Sequence, residues 1–600
     1  MKFKRLAEYF AKIEKTASRL EMTRLLAELF KEISAKEIDL AVYLSLGMLR
    51  PKFEGVEFNM AEKMMLRVIG AAYRVELDLI KKEFKKAGNF GSCIRRINSI
   101  KENQGLNDIH HSEIGKREGL SIGQVYQRLL EIAIDEGQGS QERKIQSTAR
   151  LLNEVDVLSA MYVVRIPINN LRLGFSEMTI LDALSWMSKG DKSLRPELER
   201  AFNVCADIGE IAKVFKESGL EGISKIKVKI GVPIRPAKSE RLPSAAKIVE
   251  KLEVFGVEGK WDGLRVQIHY DKGKYMQLGG QEDLFGNQGQ QKFVRIFSRN
   301  LDNQTKMFPE IAEAVEKLGV KSVILDGEAV AYDSKTGKLL GFQETVQRKR
   351  KHGVALKAAS VPIKVFVYDI LFLDGEMVMG KTFRERRKLL EKIFCKIESD
   401  TLGLAEQEIV ADVKRLKELM AKYLKMGLEG VMCKKLATAY QAGARNFNWV
   451  KLKKATEGEL VDTIDAVVMG YYAGKGKRTG FGVGAFLVGV SDENGKVGSI
   501  AKIGTGLTDE QWRELYERAE KLRVKDKPGE YLVDKNLEPD VWLRPELVVE
   551  ILADEITKSP IHAFGLALRF PRLVNFRDDK IVGEATSRRE LEKLFKMQKA

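Results

Sequence analysis

Apolar residues recur every three or four positions along the first third of the chain. Leu6, Tyr9, Phe10 and Ile13, then Leu25, Leu26, Leu29, Phe30 and Ile33, fall on one face of a 3.6-residue helix. The same period runs through Tyr126, Leu129 and Leu130 and through Ile180, Leu181 and Leu184, while strand-like alternation is scarce. Residues 1–235 are therefore expected to be helical, with each apolar stripe packed in a core and any function left to loops and basic faces. The pattern changes at Gly231-Val232-Pro233-Ile234-Arg235-Pro236, where two closely spaced prolines disfavour helix and mark a linker. Beyond it, strands alternate with helices. Val323-Ile324-Leu325 and Val365-Phe366-Val367-Tyr368 read as buried strands, residues 383–397 and 413–425 as helices. A second boundary is expected near Ala455-Thr456-Glu457-Gly458. After it, short apolar strands bounded by glycine, residues 466–470 and 486–490, have the spacing of a small β-barrel. Residues 279–291 are rich in Gln and Gly and read as a flexible loop.

Composition narrows the class. Six hundred residues with 44% hydrophobic, 31% charged and only 13 prolines are those of a globular protein of several domains. The net charge of +17 points to a polyanionic partner. Nucleic acid is favoured over a membrane surface, because no run of about 18 apolar residues exists to span a bilayer. The start, Met1-Lys2-Phe3-Lys4-Arg5, has no apolar h-region, so no signal peptide and a cytoplasmic location are expected. Cys93, Cys205, Cys395 and Cys433 form no C-x-x-C pair and are expected to be small buried hydrophobes in a reducing compartment. The five histidines make no familiar metal spacing, which sets zinc chemistry aside.

Candidate chemistry lies in an ordered series. Glu258-Gly259-Lys260-Trp261-Asp262-Gly263-Leu264-Arg265 places a lysine among glycines and charges. Leu325-Asp326-Gly327-Glu328 ends an apolar strand in carboxylates, and Gly427-Leu428-Glu429-Gly430 sets another between glycines. Arg445 follows, then Trp449-Val450-Lys451-Leu452-Lys453, where a strand would send both lysines to one face. A lysine nucleophile, separated carboxylates and paired cations suit nucleotidyl transfer to an amine: cations depress the lysine pKa, carboxylates hold Mg²⁺, and the lysine pair stabilises transition-state charge. Alone, each of these residues is an ordinary solvated charge. Together and in this order they specify a chemistry.

The chain resembles an ATP-dependent DNA ligase of the archaeal and eukaryotic replicative type. Lys260-Trp261-Asp262-Gly263-Leu264-Arg265 matches the family's KxDGxR, which implies that Lys260 is adenylated. Phe297-Ser298-Arg299-Asn300 resembles the next motif, Asp326-Gly327-Glu328 and Glu429-Gly430 the acidic ones, and Arg577-Asp578-Asp579-Lys580 the last, RxDK. The resemblance implies nucleotide binding by Glu258, Arg265, Arg299, Glu328, Arg445, Lys451, Lys453, Arg577, Asp579 and Lys580. Tyr368 is the implied adenine-stacking aromatic, with Phe366 as the alternative, and Glu328 and Glu429 the implied metal ligands. It further implies ATP and Mg²⁺ (Mn²⁺ as the alternative metal), a monomer acting on nicked duplex DNA, room for a sliding clamp, no membrane, and a nucleoid-associated cytoplasmic location. The implied fold is multidomain: an all-α DNA-binding domain (1–235, notably Asn170-Leu171-Arg172-Leu173-Gly174), an α+β nucleotidyltransferase or adenylation domain (236–455) and a β-barrel OB-fold domain (456–600). The implied reaction seals 5′-phosphate/3′-hydroxyl nicks through lysyl-AMP and DNA-adenylate, in replication and repair. Two departures stand out: the interval between Arg265 and Arg299 is long, and Pro236-Ala237-Lys238-Ser239 stands where the family more often has Pro-Met-Leu-Ala.

Rival readings are weaker. Gly375-Glu376-Met377-Val378-Met379-Gly380-Lys381-Thr382 satisfies the Walker A expression, but its interior is bulky where phosphates need close approach, so a turn with a solvated Lys381 is expected. Gln347-Arg348-Lys349-Arg350-Lys351-His352 reads as a solvated or phosphate-facing loop rather than a nuclear signal. Gly474-Lys475-Gly476-Lys477-Arg478 is the better candidate for DNA backbone contact. The long segment before Lys260 argues against capping enzymes and RNA ligases, and the lack of a four-cysteine module against NAD-dependent ligases. A non-catalytic DNA-binding scaffold would explain the charge but not the motif series.

Overall fold

The computed structural model describes residues 1–600 except 17, 104–118, 170, 172, 243, 278–289, 347, 349–360, 396, 398, 454–462, 475–480 and 598–600. The chain divides into two compact units, Met1–Arg241 with Ile248–Lys451, and Leu242–Lys247 with Leu452–Ala600.

The first unit begins with helices, as the apolar period requires. Phe3–Glu14, Arg19–Glu32, Ile122–Ile134, Glu177–Lys189 and Ile208–Ser224 are among them. Leu6, Phe10, Ile13, Leu26, Leu29, Phe30, Leu129, Ile180, Leu181 and Leu184 are all buried in one core. Polar starts fix the helix ends: Ser18 accepts from Glu21 N–H, and Ser121 with Gln124 forms a reciprocal cap. Of the Asn170–Gly174 stretch, Leu171 and Leu173 are buried, while Asn170 and Arg172 lie outside the described residues.

The linker 231–236 is non-helical and fastened along its length. Ile234 N–H donates to Gln267 Oε1 at 2.8 Å, Gln267 Nε2 donates to Ile234 O at 3.1 Å, and Gly231 N–H donates to His269 Nδ1 at 3.1 Å. Burial pushes the His269 imidazole down to about 3. It is therefore neutral, with Nδ1 accepting and Nε2–H left to donate to Gln267 Oε1 at 3.0 Å.

Two sheets follow. The first has the order β1 (Lys238–Arg241), β11 (Arg445–Lys453), β10 (Gly430–Lys435), β2 (Phe255–Lys260), β9 (Gln407–Val410). The second runs β4 (Gln290–Ser298), β3 (Leu264–Gln277), β5 (Ser322–Ala331), β6 (Ile363–Leu373), β7 (Glu376–Met377), with β8 (Leu402–Leu404) beside β6. Both expected strands are present, in β5 and β6. The helix Val413–Lys425 runs as its pattern predicts, whereas Phe383–Phe394 stops three residues short of Ile397. The Walker-like segment runs from the β6–β7 turn through β7 to the next helix; Lys381 pairs with Glu376 at 3.0 Å and Thr382 caps the helix Phe383–Phe394. Lys381 is thus ion-paired rather than merely solvated.

Two expectations need correction. Arg348 is buried, because its guanidinium donates to Val361 O, Met307 O and the Glu310 carboxylate. The rest of that basic run lies outside the described residues. Cys93, Cys205 and Cys433 are buried, but Cys395 is exposed at the end of its helix.

The second unit is β-rich. It contains β12 (Ile464–Ala473), β13 (Val483–Ser491), β14 (Val497–Ile503), β15 (Arg523–Val524), β16 (Tyr531–Leu532), β17 (Val541–Leu543), β18 (Val548–Leu552), β19 (Glu555–Lys558), β20 (Leu566–Arg569) and β21 (Arg572–Phe576). One sheet has the order β15-β17-β12-β13-β14-β16, with β18 joining β12 to β21, and β19-β20 form a hairpin. Ala466, Val468, Phe486, Val488, Trp512, Leu515 and Val549 fill its core. Residues 279–289, 455–458 and 475–478 of the stretches singled out above lie outside the described residues. Among the described residues no helix is long and apolar enough to cross a membrane.

Candidate active site

Lys260 is the last residue of β2, opposite Gly430 of β10. Glu429 N–H donates to Lys260 O at 3.0 Å, and the two side chains form an ion pair. One backbone bond and one ladder thus bring a carboxylate from far along the chain against the lysine. The turn Trp261-Asp262-Gly263 then carries the chain into β3. A Cβ at Gly263 would lie 2.3 Å from Ala329 O, so only glycine lets β3 approach β5 here.

On β3, Arg265 donates Nε to Asp326 Oδ1 at 3.0 Å and Nη2 to Asp326 Oδ2, and Nη1 to Ala237 O at 2.9 Å. Tyr440 O–H donates to Asp326 Oδ2 at 2.9 Å. Burial disfavours the guanidinium charge, but the Asp326 carboxylate outweighs it and keeps Arg265 cationic. Glu328, two residues on, stands opposite Arg265 on β3 and Phe366 on β6. Burial pushes its carboxyl up to about 7, against the opposing pull of Lys260 and Arg265.

Aromatic residues of β6 line the same region. Phe366 has one face covered by Trp261, with ring centroids 3.5 Å apart and planes 6° from parallel. Tyr368 makes an edge contact with Trp449 at 6.0 Å. The next residue, Asp369, is clamped by Arg386 at 2.7 and 3.0 Å, which fixes the strand to the helix Phe383–Phe394. Glu258 is buried and accepts from Lys434 Nζ at 2.7 Å and Gln407 Nε2 at 2.9 Å. Lys434 also donates to Tyr368 O at 3.1 Å. On β11, Lys451 and Lys453 alternate with buried Val450 and Leu452 and so share a face. Arg299 is exposed just past β4, and Arg445 is exposed at the start of β11.

In the second unit, Arg577 donates to both oxygens of Asp465 at 3.0 and 3.2 Å and to Asp579 at 2.8 and 2.7 Å. Lys580 Nζ donates to Asp465 at 2.6 Å. Arg577 holds the Asp579 carboxyl down at about 2. Lys260, Glu429, Glu328 and Arg265 are thus gathered in one unit, and Arg577, Asp579 and Lys580 in the other.

Sequence reasoning missed Lys434, Gln407, Tyr440 and Asp465. Two left a signal: Lys434 directly follows the apolar run Val431-Met432-Cys433, and Asp465 stands inside Ile464-Asp465-Ala466-Val467-Val468, where an unpaired charge would be costly. Among the described residues no three His, Cys, Asp or Glu form a metal cluster. Two carboxylates beside a lysine nevertheless fit Mg²⁺, which takes one or two carboxylates and completes its shell with phosphate oxygens and water.

Comparison with known proteins gives a consistent result. Residues 2–185 match the family described as DNA ligase N terminus, 287–453 the ATP dependent DNA ligase domain, and 479–580 the ATP dependent DNA ligase C terminal region. The "Probable DNA ligase" of Dictyoglomus turgidum is 40% identical, covering 100% of this chain and 98% of its own length. The "DNA ligase" of Sulfurisphaera tokodaii is 36% identical, with 100% and 98% covered. The solved structure "Pmar-Lig_PreS3" aligns with a TM-score of 0.53 at 19% identity, covering 95% of this chain and 99% of that one, a likeness of fold.

Proposed function

The chain belongs to the ATP-dependent DNA ligase family, and from that premise we propose how its residues seal a nick. It is an enzyme of nucleotidyl transfer, and its substrates are ATP and nicked duplex DNA. Lys260 is the nucleophile. Its Nζ lone pair forms a bond to the α-phosphorus of ATP while the bond to the β-phosphate oxygen breaks, and pyrophosphate leaves with that electron pair. The ammonium gives its proton to solvent before it attacks, which frees it from the ion pair with Glu429. The nick's 5′-phosphate oxygen then displaces Lys260 from the α-phosphorus, giving DNA-adenylate. Finally the 3′-hydroxyl oxygen attacks the DNA 5′-phosphorus and AMP departs.

Tyr368 stacks on adenine, with Phe366, one face of which is covered by Trp261, as the alternative. Glu258 meets the nucleotide with its carboxylate orientation fixed by Lys434 and Gln407. Arg265 lines the same site in the pose set by Asp326. Lys451 and Lys453 face the α-phosphate and stabilise its developing charge, and Arg299 and Arg445 contact phosphate. Glu328 and Glu429 hold Mg²⁺, or Mn²⁺ in its place, which when bound neutralises triphosphate charge. Arg577, Asp579 and Lys580 orient the departing pyrophosphate. Residues 1–235 serve as the DNA-binding domain, 236–455 as the adenylation domain and 456–600 as the OB-fold domain. The protein acts as a monomer in replication and repair at the nucleoid, with a sliding clamp as a candidate partner.

The observation that carries this reading is Lys260, in its KxDGxR setting, held against Glu429 with Glu328 alongside. The test is covalent labelling with [α-³²P]ATP: the wild type is labelled and Lys260→Ala is not, while it still binds nicked DNA. Stoichiometric labelling of that variant would place the nucleophile elsewhere.

A further inference from the structure

Asp465 stands in β12 within a run that is otherwise apolar, Ile464-Asp465-Ala466-Val467-Val468. Its backbone is fixed from two sides. Thr586 N–H donates to Asp465 O at 2.9 Å, Asp465 N–H donates to Thr586 Oγ1 at 3.0 Å, and the residue pairs with Glu550 across β18. Its side chain is 11% exposed. A carboxylate so placed needs partners, and it has two: Arg577 at 3.0 and 3.2 Å and Lys580 at 2.6 Å. Both come from the turn that follows β21, itself tied down by Arg577 N–H to Val548 O at 2.9 Å and Lys580 N–H to Arg577 O at 3.2 Å.

We propose that Asp465 is the positioning residue of the Arg577/Lys580 cation pair, holding both on one strand-anchored carboxylate so that the pair is preformed for the leaving pyrophosphate. This rests on the reading above, in which those cations act while Lys260 is being adenylated.

Three features favour positioning over concealment. Two like charges this close repel each other, and the shared carboxylate is what lets them sit side by side. Asp579 braces the other edge of Arg577 at 2.8 and 2.7 Å, whereas Lys580 Nζ donates to Asp465. Lys580 therefore depends on Asp465 more than Arg577 does. An ammonium has three donors and a guanidinium five, so these bonds leave N–H groups on both cations for phosphate oxygens. Releasing the pair would strand a mostly buried carboxylate, so the cations do their work with Asp465 still attached.

The full chain carrying Asp465→Asn, Asp465→Glu, Lys580→Ala or Asp465→Asn with Lys580→Ala tests this in two assays: the rate of Lys260 labelling from ATP, and sealing of a pre-adenylated nick without ATP. Asp465→Asn is expected to slow labelling by about 10²-fold, the scale of a misplaced catalytic group. Sealing of the pre-adenylated nick stays near the wild-type rate, which also shows that the variant is folded. Asp465→Glu, which keeps the charge, recovers part of the loss. The double variant loses less than the product of the two single losses, because Asp465 acts in part through that lysine and in part through Arg577. Labelling by Asp465→Asn at or above the wild-type rate would overturn the inference, and so would equal losses in both assays. If Lys580→Ala slows labelling but Asp465→Asn does not, the positioning role alone falls. If Lys580→Ala labels normally, the assignment of the motif to the first step falls with it.

Discussion

Burial pushes the Glu328 carboxyl up to about 7, and this has a cost in stability that can be read against pH. In the folded chain the group stays protonated through a window in which the unfolded chain has already lost its proton. Stability therefore falls as pH rises from about 4.5 to about 7 and is flat above. Glu328→Gln removes the titration. In metal-free buffer it should match the wild type near pH 4.5 and exceed it at pH 8 by up to about 3 kcal/mol, while nick sealing is lost. Denaturant unfolding at the two pH values checks this, and equal stability of the two proteins at pH 8 would refute it. Lys434 illustrates the opposite case. Its ammonium pairs with buried Glu258 at 2.7 Å and lies 4.6, 4.8 and 4.5 Å from the rings of Tyr368, Phe383 and Trp449. Lys434→Met should cost about 3–5 kcal/mol, because a buried carboxylate loses its partner, and adding Glu258→Gln should restore much of it. A double variant as unstable as the single one would mean that packing, not charge, sets the loss.

At the scale of elements, the turn between β2 and β3 does the most for the site, since it joins Lys260, the proposed nucleophile, to the strand that carries Arg265. Gly263→Ala would put a methyl 2.3 Å from Ala329 O and force β3 away from β5. The expected outcome is a stability loss of roughly 1–3 kcal/mol with a larger fall in Lys260 labelling, measured by thermal unfolding beside the AMP-transfer assay. Unchanged labelling would show that the turn tolerates the shift. Lys260, Glu328 and Glu429 could be singled out in the sequence because their motifs are contiguous, as could the helical periods of the first 235 residues. The helix Val413–Lys425 was equally plain from its residues, and the structure adds that Asp412 caps it. What the sequence hid depends on pairing across long separations. Nothing local places β11 parallel to β1, or Lys434 of β10 beside Glu258 of β2. Arg348 was misread for the same reason: in a run of cations it looks solvated, and only the fold supplies the carbonyls and Glu310 that bury it. Asp465 escaped because its partners lie in a motif more than a hundred residues later.

For the molecule as a whole, the net charge of +17 separates its two substrates by their response to salt. ATP is a small anion that a few fixed groups suffice to hold. Nicked duplex is a polyelectrolyte whose condensed counterions are released when the protein neutralises phosphates, so the logarithm of affinity falls linearly with the logarithm of salt. A chain making about 6–10 phosphate contacts loses roughly 10³–10⁵ in affinity between 50 and 200 mM salt. The full chain is expected to follow that slope for nicked DNA, while its rate of Lys260 labelling from ATP changes far less over the same range. Fluorescence anisotropy with a nicked duplex and AMP labelling at matched salt concentrations make the comparison. Parallel losses in the two assays would mean that salt acts on the folded enzyme itself, and the surplus charge would then have to be explained by something other than the DNA backbone.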